Sequence, residues 1–332
     1  MAPSMLPFIL IDTMTTKRFS GNPTPVFIFD DLPAWPSERA LQQIASEMNQ
    51  SETAFVRRLA PDKETYLVRW FTPFAEEFLC GHGLLAAVIG LHLKYGGSSF
   101  TFITSKGTPL SATLANPNDS VDPSESSSLN PFASTPISFN LTFPLSPPLA
   151  SLNPPYRHID LYASALNLPA SAILSLSRDA LNDVIIELRA DVDFSAEGME
   201  VDAKKLVEAS PEGTRSQVLT SRCVGWAGNS GEFDFAKRVF AYGSEDQATG
   251  STYSSLGPFW AEKLVQKTLN VIQPSHRGGR ATITVEDSEI VCRCSGLVAA
   301  RGEIAFPEEA NAQRERGRER GRSLMGFEQG RL

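Results

Sequence analysis

The sequence predicts an α+β fold made of two pseudo-symmetric domains. Segments with strand character outnumber helical ones, and the connections between them are mostly of hairpin length. One residue pattern also occurs twice: Arg69 is followed by Glu76, Gly81 and His82, and Arg238 is followed at the same offsets by Glu245, Gly250 and Ser251. Each copy reads as a strand, an acidic loop, and a Gly-polar pair at a helix start.

The elements follow in order. Phe8 to Ile11 is a short apolar strand, Gly21-Asn22-Pro23 a turn, and Thr24 to Phe29 a second strand. Pro36-Ser37-Glu38 opens an amphipathic helix through Met48, with Leu41, Ile44, Ala45 and Met48 on one face. Thr53 to Arg57 and Tyr66 to Phe71 read as strands, Leu84 to Tyr95 as a buried helix, and Phe100 to Thr104 as a strand. Residues 115–136 are rich in Pro, Ser and Asp and read as a flexible insertion or linker. Beyond it, helices are expected at Leu161 to Leu168, Val201 to Ala209 and Phe259 to Thr268. Strands are expected at Val184 to Leu188, Ser216 to Val224, Asp234 to Phe240, Ala281 to Glu286, Glu289 to Cys294 and Leu297 to Ile304. The domains are thus expected at 1–114 and 137–296, with 307–332 a charged, disordered tail.

Composition narrows the function classes. The chain has 332 residues, 42% hydrophobic and 20% charged, as in a globular protein with sizeable cores. Its net charge of −8 and the absence of a concentrated basic face argue against nucleic acid as a partner. No apolar run is long enough to cross a bilayer. Met1 to Leu10 lacks the basic and apolar regions of a signal peptide. Four cysteines do not make a disulfide framework, so a cytoplasmic location is expected.

A glycine at a helix start leaves backbone N–H groups free to face a ligand, and the helix dipole favours negative charge there. Two such starts, at Gly81 and Gly250, facing each other across a cleft would hold a carboxylate and stabilise charge developing beside it. That suits proton removal next to a carboxylate, with neither cofactor nor metal required. Other motifs fail. Gly81-His82-Gly83-Leu84-Leu85-Ala86 fits a dinucleotide fingerprint, but an acidic loop separates it from the preceding strand and no acidic residue closes the next one. The four histidines have no zinc-type spacing. Cys292 and Cys294 alternate along a strand and read as core. Arg69, Glu76, Arg238 and Glu245 read as architectural, and Arg277 and Arg280 as an exposed basic loop.

At these residues the chain resembles the phenazine-biosynthesis PhzF-like family, relatives of diaminopimelate epimerase and proline racemase. The resemblance runs through Ile11-Asp12-Thr13, Phe19-Ser20-Gly21-Asn22-Pro23, Ser51-Glu52-Thr53-Ala54-Phe55, Arg69-Trp70-Phe71-Thr72-Pro73 and Cys80-Gly81-His82-Gly83. In the second half it includes Arg238-Val239-Phe240 and Glu245-Asp246-Gln247-Ala248-Thr249-Gly250-Ser251. Departures are Gly83-Leu84 in place of Ala-Thr, and Gln247 in place of a proline.

The resemblance implies two domains, each a rolled, mostly antiparallel sheet around a central helix, with the active site in the cleft between them. It implies that residues 297–306 return to the first domain, and that the protein is a homodimer. The family's isomerase member isomerises trans-2,3-dihydro-3-hydroxyanthranilate. By the same resemblance, Glu52 moves the proton, His82, Asp246 and Ser251 bind and orient a small carboxylate substrate, and backbone at Gly81, Gly83 and Gly250 holds the carboxylate. In the epimerase relatives two cysteines serve as opposed bases. Here the first position keeps Cys80 and the second holds Thr249, a poor base. One-base isomerisation through Glu52 is therefore preferred. The alternatives are an epimerase or racemase using Cys80 with an unidentified second base, and a ligand-binding protein without catalysis.

Overall fold

Most strand pairs among the described residues are antiparallel, and each parallel pair is spanned by a helix, as the geometry of a parallel crossover requires. The computed structural model describes residues 5–30, 35–59, 64–116, 135–147, 150–151, 155–223 and 231–306. Most of the expected insertion and all of the expected tail lie outside these residues.

The first half contains β1 (Met5–Thr13), β2 (Asn22–Ile28), α1 (Glu38–Met48), β3 (Thr53–Arg58), β4 (Thr65–Phe71), β5 (Glu76–Glu77), α2 (Gly81–Tyr95), β6 (Ser99–Thr104), β7 (Pro109–Leu114) and β8 (Ile137–Pro144). The second contains β9 (Ala150–Ser151), α3 (Pro155–Ala165), β10 (Ile173–Arg178), β11 (Val184–Leu188), α4 (Ala203–Ala209), β12 (Gln217–Arg222) and β13 (Phe235–Ala241). It continues with β14 (Ser244–Asp246), α5 (Tyr253–Leu264), β15 (Thr268–Gln273), β16 (Gly279–Val285) and β17 (Glu289–Ala305).

A closed barrel forms through the pairings β1–β2–β3–β4–β6–β7–β8–β17 and back to β1. α2 runs inside it. Its sequence is apolar all round, and Gly81 to His92 are buried without interruption. The long strand β17 pairs with β16 and β8 over its first part and with β1 over its second. In the other half, β11 to β17 repeat the series of parallel and antiparallel pairings made by β2 to β8, with α5 packed on β15, β16 and β17. One apolar cluster contains side chains of both α2 and α5. A second lies under α3 and α4, and a third packs α1 on Phe27, Phe29 and Phe55. No helix among the described residues is long and apolar enough to cross a membrane.

α1 starts at the expected place: the Ser37 hydroxyl accepts from the Ala40 N–H at 3.2 Å, and Leu41, Ile44 and Ala45 are buried. Two helix boundaries differ from expectation. The helix expected at Phe259 begins six residues earlier and stops at Leu264, where Val265 takes a left-handed conformation. Pro258 is inside the helix. The Ser254 carbonyl that proline leaves free accepts from the Ser146 N–H at 2.9 Å. The helix expected at Leu161 to Leu168 lies at Pro155–Ala165, ended by left-handed Asn167. β7, β10 and β15, six residues each, are strands not among those expected.

Candidate active site

Each half of the chain brings a strand, an acidic loop and a helix start to one cavity of about 270 Å³. Arg69 donates to both oxygens of Glu76 at 2.8 and 2.7 Å. Arg238 does the same to Glu245 at 2.7 and 2.8 Å. Each bidentate clamp ties a strand to the loop that leads into the following helix. The four residues are architectural, as expected.

The two helix starts meet backbone to backbone. A Cβ on Gly81 would stand 2.5 Å from the Cα of Gly250, and one on Gly250 would stand 2.7 Å from the Cα of Gly81. Only glycine permits this approach. At the first start Cys80 is the N-cap, its sulfur accepting from the Gly83 N–H at 3.2 Å. The N–H groups of Gly81 and His82 have no intrahelical acceptor, by the geometry of a helix N-terminus. Gly83 and Gly250 stand behind the cavity lining: a Cβ on Gly83 would meet the Trp70 ring at 2.4 Å.

Glu52 reaches this place because α1 ends at Asn49 in a left-handed turn, after which the chain doubles back into β3. Its Oε2 lies 2.7 Å from His82 Nε2. Cys80 Sγ is 3.5 Å from the same nitrogen. Burial alone would push the His82 pKa down, but Cys80 and Glu52 beside it hold it well above the usual imidazole value. Burial, reinforced by the Glu52 charge, pushes the Cys80 thiol up to about 12. His82 is therefore held as an imidazolium against the Glu52 side chain, beside a neutral thiol. The donor atoms of Glu52, Cys80 and His82 all lie within 4.8 Å of one another, a set that a metal ion could gather although no sequence spacing announces it.

On the opposite wall, Asp246 accepts from Asn22 Nδ2 at 2.8 Å and from the Thr249 hydroxyl at 2.5 Å. The Thr249 hydroxyl is thus spent on Asp246. The Ser251 hydroxyl accepts from Arg215 at 3.3 Å. Arg215, Glu77 and Tyr242 also line the cavity, and none is a sequence-based candidate. Arg215 pairs with buried Asp183, its Nε donating at 2.8 Å. The Tyr242 hydroxyl donates to Glu77 at 2.6 Å, joining the two halves. Burial raises the Glu77 pKa. Glu77 stands eight residues after Arg69, the offset at which Asp246 follows Arg238, so the repeat carries a signal for it. Arg215 and Tyr242 sit at no repeated offset, and only the folded arrangement brings them in.

Arg277 differs from expectation. It is not a free basic-loop residue but reaches Asp12 at 2.8 Å and the Gly21 carbonyl at 2.8 Å, fastening the β15–β16 turn to the start of β2. Arg280 faces Glu232 at 3.6 Å, away from the cavity. All four cysteines are buried, and Cys292 and Cys294 belong to the core.

A closed barrel around a helix, with paired glycine helix starts at a carboxylate–imidazole site, defines a class of fold that known proteins share. The family of phenazine biosynthesis-like proteins, PhzC-PhzF, matches residues 11–296, and this chain belongs to it. The chain is 31% identical over 313 residues to the mouse phenazine biosynthesis-like domain-containing protein 2, covering 90% of this chain and 99% of that one. It is similar to the crystal structure of a PhzF-family protein from Enterococcus faecalis, with a TM-score of 0.68, 26% identity, and coverage of 91% and 99%. A hydroxyproline epimerase from Agrobacterium vitis shares the fold, with a TM-score of 0.55 and 12% identity over 92% of each chain.

Proposed function

We propose that this protein is a cofactor-independent isomerase that moves a proton between carbons of a small carboxylate substrate. On this reading the two halves act as pseudo-symmetric domains, and the cavity between them is the active site. The observation that carries the reading is the Glu52–His82 pair, 2.7 Å apart, set beside the contact between Gly81 and Gly250.

The substrate's carboxylate would accept from free N–H groups at the helix starts, which places its α- and β-carbons near Glu52. The Glu52 carboxylate takes a proton from a carbon next to a C=C bond of an unsaturated substrate; the C–H pair forms a new C=C, the old C=C pair moves to the far carbon with its charge spread toward the bound carboxylate, and Glu52 returns the proton to that carbon. No electrons leave the substrate, and the proton count is unchanged. His82, 2.7 Å away, orients Glu52, and the helix starts stabilise the developing charge. Asp246 and Ser251 orient the substrate from the second half. Opposed-base racemisation fits less well: a thiol pushed up to about 12 is a poor base near neutrality, and Thr249 already donates to Asp246.

The test is NMR in D₂O with trans-2,3-dihydro-3-hydroxyanthranilate and a panel of cyclic and amino-acid carboxylates. Deuterium should enter a carbon position with the wild type, and Glu52→Gln should slow this at least about 10²-fold. An equally active Glu52→Gln enzyme would remove Glu52 from the mechanism. Binding with no exchange would favour the ligand-binding alternative.

A further inference from the structure

Lys237 is a buried cation that the proposed mechanism leaves unused. It stands immediately before the clamp residue Arg238, as Val68 stands before Arg69, and it is 0% exposed. A buried lysine normally sits against a carboxylate. Here, among the described residues, no carboxylate lies within ion-pair distance. Asp246, the nearest acid electrostatically, already receives Asn22 and Thr249. Instead the Lys237 ammonium donates to the Thr249 carbonyl and, at 2.6 Å, to the Thr252 hydroxyl, and it lies 3.7 Å from the centre of the Tyr253 ring. All three residues belong to the second helix start.

This placement runs against ordinary helix electrostatics, in which cations favour C-termini and destabilise N-termini. We infer that Lys237 is a positioning residue for the anion site: it fixes the Thr249–Gly250 peptide, adds positive charge beneath the second helix start, and has the substrate's carboxylate as its counter-ion. The inference rests on the anion-site reading given above. The peptide geometry supports it. In a trans peptide the C=O and N–H point in opposite directions. Holding the Thr249 carbonyl on Lys237 therefore turns the Gly250 N–H away from the lysine. The two starts then each carry one cation, His82 at the first and Lys237 at the second.

The groups around the ammonium leave its charge uncancelled. Cys292 and Cys294 approach from β17, Tyr253 from α5, Asp246 from β14 and Asp183 from β11. Burial raises the pKa of both thiols and of the Tyr253 phenol, so these stay neutral. Asp183 is held by Arg215 and Ser216. Burial pushes Lys237 down to about 7, against the opposing pull of these neighbours.

The experiment measures the affinity of para-fluorobenzoate by fluorine NMR from acid to alkaline pH, in wild type and Lys237→Met. Wild-type affinity should fall as pH rises through about 7. Lys237→Met should bind about tenfold more weakly on the acid side and lack that fall. A folded Lys237→Met with the wild-type affinity and profile overturns the assignment. A second measurement needs no variant: with labelled lysine, para-fluorobenzoate must raise the Lys237 titration midpoint, because coupling is reciprocal. An unmoved midpoint also overturns it. Failure of wild type to bind overturns the anion site and the assignment together. Carbon-proton exchange is followed in the same samples. Intact coupling without exchange refutes the isomerase reading alone, and exchange without coupling refutes Lys237 alone.

Discussion

At the scale of the residue, the protonation state of His82 governs the site. It is 2% exposed, and its charge survives burial only because Glu52 lies against it and Cys80 beside it. A histidine whose folded pKa lies above its unfolded value stabilises the fold at acid pH. The contribution is fully present below about 6.5 and is lost as pH rises through the raised folded value. His82→Gln should therefore cost about 3 kcal/mol at acid pH, with the difference from wild type shrinking toward alkaline pH. Thermal melts of both proteins across pH check this. A difference that grows with pH would mean that the histidine is neutral in the fold. The same pair sets the fate of Cys80, since a carboxylate close to a buried sulfur disfavours thiolate.

At the scale of the element, a strand, a clamp and a helix start are built twice, with different burial. Arg238 is 4% exposed in its side chain and also donates to the Met199 carbonyl at 2.8 Å. Arg69 is 13% exposed and shares its charge with the exposed Glu38. Removing a buried partner strands the other charge. Arg238→Met should therefore lower stability by about 3–5 kcal/mol, and Arg69→Met by about 1–2 kcal/mol, read from urea unfolding. Equal losses would show that burial does not distinguish the clamps. Each clamp acts on function through the loop it holds: Glu77 follows Glu76 into the cavity wall, and Asp246 follows Glu245.

At the scale of the whole molecule, the site depends on how closely two distant segments approach. β17 contributes to this by pairing with β8 and β16 and then with β1, so one strand runs from the second half into the barrel wall. Arg277 adds a second tie, to Asp12 and the Gly21 carbonyl. The contact of Gly81 with Gly250 is where these ties converge. Gly81→Ala must push the helix starts apart, because the atom met at 2.5 Å is backbone. It should lower stability by about 1–3 kcal/mol and abolish carboxylate binding. Gly90→Ala lies in the same helix but meets only side chains, Val26 Cγ1 at 3.2 Å and Ile28 Cδ1 at 3.7 Å. It should be near neutral, since a mid-helix glycine gives up about 1 kcal/mol to alanine. Melting and para-fluorobenzoate titration of the pair decide the matter; a tolerated Gly81→Ala would show that the close approach is dispensable.

The sequence by itself determined the strand-rich character, the buried helix α2, the capped start of α1, and the doubled arginine, glutamate and glycine offsets. All of these are local or periodic, and steric and capping rules act within a few residues. The repeat marked His82 and Ser251, the family resemblance added Glu52 and Asp246, and the fold brings all four to one cavity. Tertiary structure alone decided the closure of the barrel and the entry of Arg215 and Tyr242 into the cavity. It also decided that Pro258 lies inside a helix, because the Ser146 N–H that satisfies the freed carbonyl comes from far along the chain. Lys237 shows the limit most clearly. In sequence it is an ordinary lysine before an arginine; its burial beneath a helix start arises only when β13, α5 and β17 pack together. Spacing records what neighbours along a chain can do, whereas charge, burial and proton affinity depend on neighbours in space.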